Sequence, residues 1–484
     1  MKLCFEDMHE WQDWSSCNQD FPCLHELSIS KCPKLQEKLP HHLLSLEKLS
    51  IDECEQLVVS IPSHSVLQEL IILGCKEVVH GYVKVEKLII ENCKEMTSLC
   101  EDGLMSFVTL EIEIKSCQSL VNIKLKSTLR TLTIKGCTAL ESLQFVMDEG
   151  GASSTSSLLM NEENLSCIGN NNASLLEHLK ISNCPSLKCV STIVDLATML
   201  KRLDIEECPN VTSLSSRDTL PTTLKFLRLA DCPKLESIVD ELNKDTLLEY
   251  LLIYSCEKLK SLPRGLHELC HLKEIDIYRC NSLISLGDFL PTNLRSLEIE
   301  ECEKLEALSN NMHNLNFLQD LSIRECPSIV SFPEEGFPTN LTMLWLSGPN
   351  LCKQVFELGL HRLTLLTYLE IGNGIMDSFP EEEDGKTMLM LPTSLTRLRF
   401  FSFPNLLFLS WKFFQNLSAL EEISIGWCRK LASLSEKCFP PSLQRLNITF
   451  CAVLKQNCEK DKGIMWSKIA NIPSVIIDGV EQHK

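Results

Sequence analysis

Leu24–Leu35 reads LHELSISKCPKL, Leu46–Leu57 reads LEKLSIDECEQL and Leu67–Val78 reads LQELIILGCKEV. The three strings share one pattern, L-x-x-L-x-I-x-x-C-x-x-L, with Leu24, Leu27, Ile29, Cys32 and Leu35 answering to Leu46, Leu49, Ile51, Cys54 and Leu57. Outward from these copies the cysteine returns at Cys93, Cys117, Cys137, Cys184, Cys208, Cys232, Cys256, Cys280, Cys302 and Cys326. Four successive spacings, from Cys184 to Cys280, are 24 residues each. Three copies then hold Pro349, Gly374 and Phe403 in the cysteine slot, before Cys428 and Cys451 restore it. Of 18 register positions 15 are cysteine, so one structural unit is repeated along the whole chain.

The pattern predicts its own geometry. Apolar residues alternate in L-x-I, so each copy is a short strand with one buried face. A connection of this length is too long for a hairpin, so successive strands lie parallel. One unit buries too little apolar surface to fold alone and depends on stacking against its neighbours. The expected fold is an α/β solenoid of leucine-rich repeats. It is a horseshoe with a concave parallel β-sheet and a convex side of loops and short helices, advancing about 4.8 Å per repeat.

The return segments carry a second signature: LPTTL (220–224), LPRGL (262–266), LPTNL (290–294), FPTNL (337–341), LPTSL (391–395) and FPPSL (439–443). Proline fixes φ and ends a helix there, which keeps the returns short and irregular. Between 150 and 172 the pattern lapses into Gly, Ser and Asn. The expected organisation is an opening segment at 1–23 and repeats at 24–149. An exposed loop or degenerate repeat at 150–172, repeats at 173–457 and a C-terminal cap and tail at 458–484 complete it.

Composition narrows the function. The 484 residues are 44% hydrophobic and 23% charged, with a formal net charge of −19. That charge opposes nucleic-acid binding, which depends on lysine and arginine neutralising phosphates. No run of about 18 apolar residues predicts a membrane span, and the start MKLCFEDMHEWQDW lacks the zones of a secretory signal. The chain has 25 cysteines. Those in the ladder are expected to be buried, reduced thiols, which favours a reducing compartment, cytoplasmic or nucleocytoplasmic. Cys17, Cys167 and Cys458 fall outside the ladder and are expected to be the more reactive ones.

His267-Glu268-Leu269-Cys270-His271 matches H-E-x-x-H, which binds zinc only when both histidines share one helix face. Here Leu266, Leu269, Leu272 and Ile275 keep the repeat's own spacing, so Leu272 opens a strand and His271 sits at a turn. No metal, cofactor or catalytic residue is expected. Binding would live on the concave face, at the third, fifth and seventh positions of L-x-x-L-x-I-x-x-C. Read repeat by repeat, the large side chains there are Phe226, Arg228, Tyr250, Tyr254, Asp276, Tyr278, Trp345, Tyr368, Arg399 and Phe401, with Trp427 beside the face. Aromatics and arginine are the usual anchors of protein interfaces. Tyr254 and Tyr278 hold one slot on neighbouring strands and should lie side by side. Asp52-Glu53, Glu206-Glu207 and Glu300-Glu301 should make separate negative patches.

FEDMHEWQDW (Phe5–Trp14), LPTNLRSLEIEECEKL (Leu290–Leu305) and the tail WSKIANIPSVIIDG (Trp466–Gly479) resemble segments of plant coiled-coil nucleotide-binding leucine-rich-repeat disease-resistance proteins. The resemblance spans essentially the whole chain. It implies a recognition domain in plant innate immunity that binds a pathogen effector or an effector-modified host protein. In the intact receptor it implies contact with the nucleotide-binding (NB-ARC) module, whose switch the repeats regulate. No P-loop string G-x-x-x-x-G-K-[ST] is present, so nucleotide binding is not implied for this chain, which reads as part of a longer receptor. The other reading is the substrate-binding repeat arm of an F-box ubiquitin ligase.

Overall fold

A computed structural model describes residues 1–14, 21–36, 43, 45–60, 67–75, 77–79, 85–99, 110–146, 174–330, 332, 336–354, 359–379, 391–410, 414, 416–434, 439–460 and 462–482. The chain divides into two compact units, Met1–Leu248 and Glu249–Lys484.

Each unit is a solenoid built on one parallel ladder of five-residue strands. In the first unit the ladder runs through Lys2–Glu6, Glu26–Ser30, Lys48–Asp52, Glu69–Leu73, Lys87–Glu91, Glu111–Lys115, Thr131–Lys135, His178–Ser182, Arg202–Glu206 and Phe226–Ala230. In the second it runs through Tyr250–Tyr254, Glu274–Tyr278, Ser296–Glu300, Asp320–Arg324, Met343–Ser347, Tyr368–Gly372, Arg397–Phe401, Glu422–Gly426, Arg445–Thr449 and Ser474–Ile477. The antiparallel strand Val480–Glu481 lies against Ser474–Ile477. Pairing is residue for residue at the repeat register: Leu27 faces Leu49 and Ile29 faces Ile51. A one-residue slip would turn every buried aliphatic to water, so the alternation itself fixes this register.

The cysteine slot follows from a backbone device. Each ladder strand is followed by one residue at positive φ, such as Lys31 (52°), Glu53 (49°), Glu207 (52°) and Arg279 (54°). In most rungs its amide donates to the last carbonyl of the next strand, as Lys31 N–H does to Asp52 (2.9 Å) and Arg279 N–H to Glu300 (2.9 Å), whereas Glu325 N–H donates to Ser347 Oγ and Phe450 N–H to the Asp478 carboxylate. That left-handed step turns the following residue into the core. All 15 cysteines of the slot are at most 2% exposed. Their thiols donate to the carbonyl two residues back, for example Cys208 to Glu206 (3.3 Å) and Cys280 to Tyr278 (3.4 Å). The carbonyl of the cysteine then accepts from the amide three residues on, as Cys32 does from Leu35 (3.2 Å), which explains C-x-x-L.

The proline returns close in the same manner. The carbonyls of Pro221, Pro291, Pro392 and Pro440 accept from Leu224, Leu294, Leu395 and Leu443. The residue before each leucine reaches back to the previous repeat: Thr223 Oγ1 donates to the Leu200 carbonyl (2.9 Å) and Ser394 Oγ to that of Leu366 (2.8 Å). The returns hold short helices at Ser191–Val194 and Pro349–Gln354, with 3-10 turns at Leu266–Glu268, Met312–Asn314 and Leu360–Arg362. They also hold small parallel ladders not expected from the sequence. Asn122–Lys126 pairs with both Ser142–Val146 and Ser98–Leu99, Val58–Ser60 with Glu77–Val79, and Ser378–Phe379 with Phe408–Leu409.

Where the slot lacks cysteine, neighbouring rungs compensate. Phe403 is fully buried and packs on Phe400 at 6.2 Å. A Cβ on Gly374 would collide with the Phe403 ring, so glycine in one rung makes room for phenylalanine in the next. Beside Pro349, the thiol of buried Cys352 donates to the Gly372 carbonyl (3.0 Å).

Residues 1–23 contribute a ladder strand, Lys2–Glu6, and Phe5 packs on Trp11 and Trp14. The lapse at 150–172 lies outside the described residues, but the flanking strands Thr131–Lys135 and His178–Ser182 pair directly. At the C-terminal end Ile469, Ile472, Val475 and Ile477 are buried. Asp478 stays partly exposed, 2.7 Å from Lys455 Nζ. One expectation fails here. Cys458 is fully buried, because it closes the helix Ala452–Asn457 inside this cap. Cys17 and Cys167 lie outside the described residues. The exposed cysteines among the described residues are Cys4, Cys23, Cys189 and Cys270.

Candidate functional site

Because Leu and Ile of L-x-I fill the core, the intervening residues form the open face of each ladder. In the first unit this face begins as an alternating charge row. Lys2, Glu26, Lys48, Glu69, Lys87 and Glu111 occupy one register position on six successive strands. Lys2 pairs with Glu26 at 2.9 Å and Lys87 with Glu111 at 3.1 Å, and Lys48 pairs with Glu69. Phe226 and Arg228 belong to this unit's last strand. The Arg202 guanidinium lies 5.6 Å from the centre of the Phe226 ring. Arg228 makes a forked pair with Glu206 (2.8 and 3.1 Å), which holds that carboxyl below its usual range.

The other eight expected face residues lie in the second unit, and side chains connect most of them. Tyr254 and Tyr278 are side by side, ring centres 6.2 Å apart. Tyr250 donates its hydroxyl to Asp276 (2.8 Å), and Tyr278 donates to Glu298 (2.7 Å). Burial pushes the Asp276 carboxyl up, against the Tyr250 hydrogen bond and helped by Glu298 and Glu274. Burial, then the bond to Glu298, pushes the Tyr278 phenol well above its usual range. Trp345 packs on Tyr368 at 5.3 Å, and Tyr368 donates to Glu370 (2.7 Å). Arg399 reaches the same carboxylate at 3.1 Å, with its guanidinium 5.7 Å from the Phe401 ring centre. The Phe401 ring lies where a side chain on Gly372 would stand, so that glycine opens its seat.

Reading by residue type missed the charged members that tie the aromatics together: Glu298, Arg324, Glu370 and Arg397. The guanidinium of Arg324 lies 5.8 Å from the Trp345 ring centre, and that of Arg397 lies 5.2 Å from Tyr368. All four occupy face positions of the same repeat pattern, so the register could have placed them. Trp427 is 50% exposed and stacks on Phe450, ring centres 4.3 Å apart. Both sit at the left-handed turn position (φ 58° and 51°), where bulky residues are uncommon. In each acidic pair, the second residue, Glu53, Glu207 or Glu301, occupies that same turn position.

The H-E-x-x-H string does not form a helix face. Leu266–Glu268 is a single 3-10 turn, His271 lies in the next turn and the strand starts at Glu274. His267 packs against Phe289 at 6.1 Å. Among the described residues no group of three or more His, Cys, Asp or Glu side chains could hold a metal ion. Nor is any helix among them long and apolar enough to cross a membrane.

No family model matches the chain. An Arabidopsis thaliana protein named for disease resistance is 38% identical over 149 residues, which is 30% of this chain and 10% of that protein. The matched stretch is thus a small part of that relative's length. Among solved structures, a leucine-rich-repeat protein of Leptospira interrogans is 16% identical, with 86% of this chain and 94% of that one covered and a TM-score of 0.37. YopM from Yersinia enterocolitica is 17% identical, with 86% and 89% covered and a TM-score of 0.31.

Proposed function

We propose that this leucine-rich-repeat chain is a protein-recognition module of plant innate immunity. It would bind a pathogen effector or a host protein that an effector has altered. The observation that carries the reading is the connected face of the second unit, where Tyr250, Tyr254, Tyr278, Trp345, Tyr368, Arg399 and Phe401 stand outside the core. Aromatic side chains bring large contact area with little flexibility, and arginine adds charged hydrogen bonds, which suits a protein ligand. Solenoids of this kind offer extended surfaces for binding rather than a catalytic pocket. The 38% match to a protein named for disease resistance supports the biological setting. In the intact receptor, the repeats would also regulate a nucleotide-binding (NB-ARC) module. The buried free thiols suit a reducing, cytoplasmic setting.

The test is genetic. Disrupting the gene should abolish resistance to particular pathogen isolates, and a copy carrying Tyr278→Ala and Trp345→Ala should fail to restore it. Unchanged resistance across a broad panel, with an F-box encoded upstream instead of a P-loop, would favour the ubiquitin-ligase arm.

A further inference from the structure

We propose that the strand face over Glu274–Tyr278, Ser296–Glu300 and Asp320–Arg324 receives an arginine or lysine side chain from an extended segment of the protein ligand. This rests on the recognition reading above and gives its ligand a chemistry.

The first observation is a charge imbalance that the protein does not settle internally. Glu274, Asp276, Glu298, Glu300 and Asp320 all occupy face positions of these three adjacent strands. The one cation at a face position there is Arg324. Its nitrogens stand 4.0 Å from Glu298 and 3.7 Å from Glu300, well beyond the 2.7–2.9 Å of a good charged hydrogen bond. Arg279, at the turn, is engaged by Glu301 at 2.8 Å and by the Tyr254 hydroxyl at 2.9 Å. Burial pushes the Glu300 and Asp320 carboxyls up, against Arg324 at Glu300 and a Thr342 hydrogen bond at Asp320, and Glu298 and Glu301 add to the rise at Glu300. Two register lines cross the patch, Asp276–Glu298–Ser322 and Tyr278–Glu300–Arg324. With strands about 4.8 Å apart, a single cationic head group can span adjacent carboxylates.

The second observation is independent of the carboxylates. Ser322 is 3% exposed and its hydroxyl has no hydrogen-bond partner. Leu321 and Ile323 on either side fill the core, so Ser322 points to the open face, in register between Glu298 and Trp345. Beside it, the Arg324 Nε–H is also buried and unpaired, a donor that a main-chain carbonyl of the extended segment, not its cationic head group, would meet. Buried polar groups are rarely left without partners, and the cost of each is relieved when a ligand supplies one. A cationic side chain entering beside Glu298 would bring both the missing charge and polar atoms within reach of Ser322.

The walls suit the same guest. The hydroxyls of Tyr250 and Tyr278 already hold one oxygen of Asp276 and one of Glu298, which fixes the carboxylates in place. The Arg279 guanidinium already lies 5.7 Å from the Tyr254 ring centre, and the neighbouring Tyr278 ring offers a further face on which a guanidinium stacks. The Trp345–Tyr368 pair on the following strands adds apolar surface, which a peptide can use and an isolated cation cannot.

Isothermal calorimetry of the full chain with tetra-arginine amide tests this, with tetra-citrulline amide as the uncharged isostere. The arginine peptide should bind saturably at one site and the citrulline peptide should not. Glu298→Gln with Glu300→Gln should weaken binding about tenfold, a plausible sum for two partly exposed charge pairs. Asp276→Asn alone should weaken it less. Glu53→Gln with Glu55→Gln, in the first unit, should leave it unchanged. No binding, equal binding of both peptides, or equal loss in the two double variants would overturn the proposal. The assay contains no pathogen or host component, so its failure leaves the immune reading standing. Conversely, loss of the immune reading would leave the cation-binding face intact.

Discussion

The two units are each filled by the same kind of core and carry different faces. In the first, the row Lys2, Glu26, Lys48, Glu69, Lys87, Glu111 alternates in sign and neutralises itself strand by strand. Among the described residues no Phe, Tyr or Trp occupies a face position before Phe226. In the second, carboxylates gather on three adjacent strands beside tyrosines, and arginines lie over Trp345, Tyr368 and Phe401. The inward residues barely change between the units: Leu203 and Ile205 in one, Ile275 and Ile277 in the other, all fully buried. Burial restricts what an inward position can hold, whereas an outward position is free to carry charge or rings. Chemistry can therefore diverge on the face without disturbing the stack.

The largest expected contrast lies between slot cysteines and the rest. Burial pushes the Cys232 and Cys280 thiols up to about 12, and the thiolate is the reactive form. Near pH 8, N-ethylmaleimide should label exposed Cys4, Cys23, Cys189 and Cys270 about a thousandfold faster than Cys232 or Cys280, by mass spectrometry. Equal rates would remove the buried ladder from both units.

Next in size is Phe403→Ala, which empties the rung that Gly374 makes room for. Large buried aromatics cost about 3–5 kcal/mol when cut to alanine. The loss should be seen as hydrogen exchange opening Tyr368–Gly372 and Arg397–Phe401 together. A loss under about 1 kcal/mol would mean that the Gly374–Phe403 fit is incidental.

Smaller per thiol, over the two pH units from about 8.5 to 10.5, is the alkaline response. Cys232 in the first unit, with Cys280, Cys352 and Cys458 in the second, stays protonated up to about 12 when folded. Unfolded thiols ionise near about 8.5. Above that pH the unfolded chain holds fewer protons than the folded one, so stability is full below about 8.5 and falls as pH rises towards 12. Each buried thiol contributes about 1.4 kcal/mol per pH unit within that window. Urea midpoints that stay flat from pH 8.5 to 10.5 would contradict the burial.

How much was readable beforehand follows the same divide. Positions inside the repeat were legible because period and alternation dictate direction: the slot cysteines, the proline turns and the Tyr254–Tyr278 pair all follow from register. Cys458 was misplaced because it lies beyond the last repeat, where no period says which way a helix end faces. The small ladders of the returns were missed although NIKLK (122–126) and SLQFV (142–146) do alternate. The fit of Phe403 to Gly374 joins two rungs, and a pattern read one repeat at a time does not see it. Glu298 and Arg324 went unselected because a search for aromatic anchors passes over the charges that orient them.

The sharpest measurement compares two adjacent residues, Ile277 and Tyr278, on one strand. Ile277 is fully buried, whereas Tyr278 stands on the face and donates one hydrogen bond to Glu298. Native-state hydrogen exchange over Glu274–Tyr278 and its neighbours should show Ile277→Ala losing about 2–5 kcal/mol of protection. Tyr278→Ala should lose less, about 1–2 kcal/mol, the worth of its hydrogen bond to Glu298 and its ring contact with Tyr254. If Tyr278→Ala opened the strand as far as Ile277→Ala, the face would be part of what holds the repeat together, and the separation of fold from recognition would fail.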